Sequence, residues 1–102
     1  MAGFLRTYYS TVPDDLDAGW AMLGSDEKAV GRGSYDQFWG SITSVDLTDV
    51  TTSPGSNTAD ISLTYHYDDG RVVDERQHLT LVHGPDGRWL IDSDEVLSST
   101  TR

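Results

Sequence analysis

The chain contains no cysteine. This absence excludes disulfide bonds, thiolate metal ligands and a cysteine nucleophile. It leaves the compartment open, because exported domains can also lack cysteine. No apolar run approaches the ~20 residues that a membrane-spanning helix needs, and residues 1–3 do not resemble a signal peptide. We therefore expect no direct membrane insertion by this segment.

Basic residues are also scarce. Seven Lys and Arg stand against seventeen Asp and Glu, which gives a formal net charge of −10. Nucleic acid and anionic lipid require a basic stripe, so neither is an expected partner. The acidic residues never run beyond two in succession, which favours a solvated acidic surface. Attraction of cations or of a basic partner is the alternative.

The hydrophobic content is only 36%, but three Trp, five Tyr and two Phe supply large side chains for a core. A chain of 102 residues fits one small domain, predicted to cover residues 1–102. We expect the aromatic rings, Trp20 and Trp39 above all, to fill its interior.

Helical periodicity marks the first part of the chain. An amphipathic stripe covers residues 4–12, and a second helix follows a cap at Asp14 or Asp15. A third helix is predicted to begin with Ser34 as its N-cap. Gln37, three residues later, would complete a capping box. Three helices are therefore predicted.

The rest of the chain changes to period two. Apolar residues occupy the odd positions from Ala59 to Tyr67 and polar residues the even ones, as in a half-buried antiparallel strand. Asp69-Gly70 and Asp86-Gly87 predict tight hairpin turns. Four strands are predicted in meander order near 44–52, 58–68, 71–83 and 88–96, with a frayed polar tail at 98–102.

Helices followed by a meander predict an α+β fold, with three N-terminal helices packed on one face of a curved four-stranded antiparallel sheet. Four segments carry a more specific pattern: Tyr8-Tyr9, residues 13–20, residues 34–40 and residues 88–93. With them the chain resembles the nuclear transport factor 2-like (SnoaL-like) superfamily, from Phe4 to Leu97. It is similar in particular to small extracytoplasmic domains of actinobacterial transmembrane serine/threonine kinases and related exported proteins.

The resemblance implies a cone-shaped sheet with room for a pocket at its open end. The superfamily includes isomerases, cyclases and hydrolases as well as non-catalytic binding and dimerisation modules, so the fold alone does not choose a function. Its members often pair through the exposed sheet face. Here that face would include Thr64, His66, Arg76, His78 and Thr80.

Strand alternation identifies candidate pocket residues. If neither of the last two strands is bulged, Glu75, Gln77 and Glu95 point inward with the apolar residues. A carboxylate there would have a raised pKa and could act as a general base. The alternatives are a β-bulge that changes the parity, or a place at the wet rim. The candidate ligand pocket comprises Tyr8, Trp20, Trp39, Tyr65, Tyr67 and Gln77, although the same aromatic residues could simply form the core.

No motif for catalysis, metal or cofactor is recognisable. His66, His78 and His83 lack the spacing that places two ligands on one face, so we expect neither a metal site nor a cofactor.

The leading hypothesis is therefore a non-catalytic interaction or ligand-sensing domain. By resemblance it would be the extracytoplasmic part of a membrane kinase or of an exported protein, although a cytoplasmic location stays open. It would bind a peptide, an envelope component, a small apolar ligand or a second copy of itself. The alternative is a small-molecule isomerase or cyclase with Glu75 or Glu95 as general base.

Overall fold

The computed structural model describes residues 1–102. The helices are α1 (Ala2–Thr11), α2 (Leu16–Ala21), α3 (Ser25–Lys28) and α4 (Arg32–Gly40); the strands are β1 (Ile42–Thr52), β2 (Thr58–Tyr67), β3 (Val72–His83) and β4 (Trp89–Thr101). The strands form one antiparallel sheet in the order β1-β2-β3-β4. The predicted α+β class and the sequential four-stranded meander are confirmed. None of the helices is long and apolar enough to cross a membrane.

The helices differ from the prediction in number and in one boundary. There are four rather than three, and they extend as far as Gly40, immediately before the sheet. The Ser34 capping box is wrong, because α4 begins at Arg32 with Gly31 as N-cap and no side-chain cap. Gly31 has a φ of 91°, a conformation that favours glycine, and the Arg32 side chain bonds Asp36 one turn later. The predicted cap at Asp15 is confirmed, since its carboxylate accepts from the Ala18 N–H.

The predicted frayed tail is also wrong. Ser98 to Thr101 continue β4 and pair with β3, and the Arg102 N–H donates to the Val72 carbonyl at 2.9 Å. The Arg102 guanidinium also makes two hydrogen bonds, of 2.8 and 3.0 Å, to the Asp74 carboxylate. Backbone pairing and this ion pair therefore fix the C-terminal segment to β3, although its polar composition alone is typical of a solvated terminus.

One cluster of sixteen buried residues forms the core between the helices and one face of the sheet. Helices α1 and α4 contact β1, and α3 contacts β4. The side chains that are most completely buried are Leu5, Ile61, Leu63, Leu79 and Leu81. Four of these five come from β2 and β3, so the two central strands supply most of the fully buried side chains of the core.

Both edge strands are bulged. In β1 the register places Thr43 and Thr48 as extra residues, and their hydroxyls donate to carbonyls of β2. In β4 the extra residues are Asp92 and Leu97. An extra residue exchanges the faces of the residues that follow it, so the two β4 bulges exchange them only between 93 and 96. This segment forms one wall of the site described next.

Candidate ligand pocket

A pocket of about 430 Å³ lies between the helices and the sheet. Sixteen residues line it, and eleven of them are hydrophobic. This size and composition are typical of small-molecule sites. Trp39 and four tyrosines belong to the buried core, as expected, and Trp20 packs against its edge; several of the buried rings also border this space.

Aromatic rings make up much of the wall. Phe38 meets Tyr65 edge to face with ring centroids 5.5 Å apart, and Trp39 lies 6.0 Å from Tyr65. At the mouth, Phe38 is 38% exposed and Val96 is 52% exposed. Val30 lies there too and is exposed as well. The mouth thus presents an apolar rim to water, as ligand-binding grooves do.

Polar groups interrupt this wall at the base of the pocket. Gln77 is 4% exposed, and its Nε2 donates to the Tyr65 hydroxyl at 3.1 Å and to Glu75 Oε1 at 2.9 Å. Ser99 donates to the other Glu75 oxygen at 3.2 Å. The Gln77 side-chain carbonyl has no partner in the chain. Because no fully buried side-chain polar atom lacks a partner, this oxygen opens into the pocket.

The tyrosine hydroxyls of the wall are held in their neutral form. Tyr8 and Tyr35 hydrogen-bond to each other at 3.0 Å. Burial, first of all, raises the pKa of Tyr8, of Tyr65 and of Tyr9 above the ordinary tyrosine range. The Tyr9 hydroxyl makes no hydrogen bond within the chain, although the residue is only 8% exposed. The charges of Asp94 and Glu27 contribute to its raised pKa, and all three residues line the same pocket.

Glu27 of α3 and Asp94 of β4 form a carboxyl pair on the pocket wall. Burial first of all, then the charge of Asp94 and a hydrogen bond to it, together raise the pKa of Glu27 to about 8. Asp92 adds a smaller charge effect. The pair therefore holds a proton at neutral pH, as neighbouring carboxyl groups do.

The position of α3 explains how these two residues meet. Residues 22–24 lie against β4, where the Gly24 N–H donates to the Ile91 carbonyl at 2.7 Å and the Ile91 N–H to the Met22 carbonyl at 2.9 Å. Asp92, the bulge residue, accepts from the Asp26 N–H at 3.3 Å. The bulge also turns Asp94 inward, opposite Leu79. One extra residue thus places one carboxylate and anchors the helix that carries the other.

The predicted site residues divide into two groups. Five of them line the pocket: Tyr8, Trp39, Tyr65, Glu75 and Gln77. The other three, Trp20, Tyr67 and Glu95, lie elsewhere.

Each of these three has a clear environment. Trp20 packs between the Lys28 ammonium and the Arg32 guanidinium, at 5.7 and 5.8 Å from its ring. Tyr67 lies under the Arg71 guanidinium at 4.3 Å. For Glu95 the alternative of a β-bulge holds: the extra residue Asp92 changes the parity and places Glu95 opposite His78 on the other sheet face, so the inward orientation of an unbulged strand does not occur.

Tyr9 and Tyr35, which the sequence also offers as aromatic pocket candidates, line the pocket as well. The structure adds four candidates that the sequence did not indicate: Glu27, Phe38, Asp94 and Val96. Phe38 follows from the helical stripe of α4 and could have been included. Glu27 and Asp94 could not, since their meeting depends on the bulge and on a helix of four residues.

No group of three or more His, Asp or Glu side chains is arranged to hold a metal ion. Comparison of the chain with protein-family models, with curated proteins and with solved structures found no match.

Proposed function

We propose that this protein is a non-catalytic domain that binds a small, largely apolar ligand in the pocket between its helices and its sheet. The observation that carries the proposal is a pocket of about 430 Å³ with aromatic walls and an exposed apolar rim. Such a rim gains free energy when a ligand covers it, at roughly 25 cal/mol per Å² of apolar surface.

The hydrogen bonds of the wall support binding rather than turnover. Both oxygens of Glu75 accept hydrogen bonds, from Gln77 and Ser99, so this carboxylate orients its neighbours. Glu95, the other general base that the sequence suggested, faces away from the pocket. A wall whose side chains are already fixed loses little entropy when a ligand enters.

The resemblance to the nuclear transport factor 2-like superfamily supports a ligand-sensing role and a cone-shaped arrangement of the sheet. The order of helices followed by a sequential meander agrees with it. On this basis we propose that the domain lies outside the cytoplasm, in a membrane kinase or in an exported protein. A peptide or an envelope component is then the alternative occupant of the same pocket.

Blocking the mouth tests the proposal. Val96 and Leu97 are adjacent and each 52% exposed, but only Val96 lines the pocket. With 2-phenylethanol as probe, we expect amide NMR shifts at pocket residues, lost in Val96→Trp and retained in Leu97→Trp. An unperturbed pocket in the unmodified protein, or equal loss in both variants, would refute a ligand site here.

Glu27 supports a second candidate function, proton transfer on a small carbonyl compound. A carboxyl group with a pKa of about 8 in an aromatic pocket has the properties of a general base, and the Tyr9 hydroxyl, which lines the same pocket without a partner in the chain, could serve as the hydrogen-bond donor. Glu27 would then take the role that the sequence assigned to Glu75 or Glu95. Deuterium incorporation from D2O into 2-cyclohexenone, lost in Glu27→Gln, is the expected sign, and no exchange above background excludes this reaction for that ketone class.

The proposed protein partner is a second copy, paired through the outer sheet face. Three carboxylates of this face are already paired with cationic or titratable side chains. Asp60 bonds His78 at 2.7 Å, Asp46 bonds His66 at 3.1 Å, and Asp74 bonds Arg102. Internal pairing reduces the repulsion that a net charge of −10 imposes between two copies.

A further inference from the structure

The charged residues that line the pocket are all acidic. They are Glu27, Glu75 and Asp94, and no Lys, Arg or His lies among the lining residues. Fixed charges of one sign in a concave, partly apolar site raise the local concentration of ligands of the opposite sign. An anionic ligand would be repelled from the same space.

Unused hydrogen-bonding groups lie on the same wall as the carboxyl pair. The Tyr9 hydroxyl, in a residue that is only 8% exposed, has no partner in the chain and lines the same pocket as Glu27 and Asp94. The Gln77 carbonyl oxygen, in a residue only 4% exposed, also lacks a partner. Since no fully buried side-chain polar atom lacks a partner, both atoms are accessible and can hydrogen-bond to a ligand in the pocket.

We infer that the pocket binds a compact apolar amine, with its ammonium group between Glu27 and Asp94 and its apolar part against the aromatic wall. This inference rests on the proposed ligand-binding function and names the class of ligand. An ammonium has three donors and no acceptor, which suits two carboxylates and one further oxygen. The rings of Tyr8, Trp39 and Tyr65 also favour a nearby cation through their π faces.

A divalent metal ion fits this site less well than an amine. Calcium takes six to eight oxygen ligands, and magnesium demands an octahedral set. The chain offers no cluster of three acidic or histidine side chains. An organic cation needs fewer oxygens and uses the apolar wall, which a metal ion does not.

Three probes of similar shape and different charge test the inference. They are 2-phenylethylamine, 2-phenylethanol and 3-phenylpropionate, titrated into the intact chain and followed by amide NMR shifts. We expect the ammonium compound to bind at least about tenfold more tightly than the alcohol, since a hydrogen bond to a charged group is worth about that factor. The carboxylate compound should bind most weakly.

Variants then locate the charge. At pH 8.5, where Glu27 is largely ionised, Asp94→Asn and Glu27→Gln should each remove most of the preference for the amine over 2-phenylethanol. Glu95→Gln is the matched control, because it removes the same charge on the same strand from the opposite face. The amide spectrum of each variant shows whether it is folded.

The pH dependence gives an independent readout. Amine affinity should rise between pH 6 and pH 8.5, because Glu27 loses its proton in this range while the amine keeps its own. The other titratable groups that interact with Glu27 are Asp94 and Asp92 of β4, Tyr9 of α1 and Tyr35 of α4.

The outcomes separate the two proposals. Equal binding of all three probes overturns the amine inference but leaves the ligand pocket in place. A loss of amine preference in Glu95→Gln as large as in Asp94→Asn also overturns it, because bulk charge would then explain the effect. If no probe perturbs the pocket, both the inference and the proposed function are refuted.

Discussion

At the scale of single residues, Glu27 has the most unusual environment in the molecule. It shares a pocket wall with Asp94, and burial raises its pKa to about 8 from an ordinary value of 4.5. An acid with a raised pKa in the folded state binds a proton that the unfolded chain has already released. Folding stability therefore falls as pH rises from about 4.5 to about 8.

Glu27→Gln should remove this dependence. Below pH 5 the variant and the unmodified protein should have similar stability, because a protonated Glu and a Gln are both neutral. At pH 8.5 the variant should be more stable, with its Tm higher by a few degrees, since Glu27 is only half-buried and water screens the repulsion. Thermal unfolding across this pH range measures the difference.

Glu95→Gln is again the control, because it is exposed and faces the other side of the sheet. Its unfolding curve should keep the pH dependence of the unmodified protein. Curves for Glu27→Gln that stay parallel to those of the unmodified protein at every pH would contradict the raised pKa.

At the scale of elements, the junction of α3 with β4 decides where Glu27 lies. Gly24 sits against Asp92, and a Cβ at this position would lie 3.2 Å from the Asp92 Cα and would overlap its Oδ1. The contact involves backbone, so the neighbouring chain would have to move.

We expect Gly24→Ala to destabilise the fold by about 1–3 kcal/mol, as overpacked sites do. It should also weaken the amine preference, because α3 moves away from Asp94. Urea unfolding measures the first effect and the probe titration the second.

Gly33→Ala is the matched control, since a Cβ there meets nothing within 4 Å. Gly33 lies inside α4, so alanine should raise stability by about 0.5–1 kcal/mol. If Gly24→Ala proved as well tolerated as Gly33→Ala, the close contact between α3 and β4 would not be rigid.

The elements also show which parts of the fold the sequence could predict. Alternation in 59–67 and the Asp-Gly turns identified the central strands, because β2 and β3 pair without a bulge. The same alternation failed at Glu95, since a bulge adds one residue and leaves no mark in the pattern of polar and apolar residues. The Ser34 cap failed because Gly31 allows the helix to begin earlier.

The site was predictable only where it lies on regular elements. Tyr65, Gln77 and Glu75 follow from strand parity, and Trp39 from helical spacing. Glu27 depends on contacts between segments far apart in the chain, among them the bond from the Asp26 N–H to Asp92 across 66 residues. No local pattern encodes such a contact.

At the scale of the whole molecule, the proposed dimer through the outer sheet face makes a prediction about solution behaviour. We expect sedimentation velocity to show a dimer at high concentration. Arg76→Glu, on that face, should shift the equilibrium towards monomer because it adds negative charge to both sides of the contact. Arg6→Glu on α1 changes the charge equally and should leave the dimer intact.

A protein that stays monomeric at the highest attainable concentration would contradict this arrangement. Equal weakening by Arg6→Glu and Arg76→Glu would show that overall charge, rather than a particular face, controls association. Neither result would affect the pocket, which opens on the opposite side of the sheet.

The paired bulges of β4 have a consequence for how specificity could change over time. They invert the alternation over four positions and then restore it, so Asp94 and Val96 project into the pocket while the strand on either side keeps its ordinary phase. Asp94 supplies a charge to the pocket, and Val96 forms part of its apolar rim. Substitutions at these two positions would change which ligand the pocket prefers and would leave the backbone pairing of the sheet intact. We therefore expect homologous chains to differ most readily at these two positions.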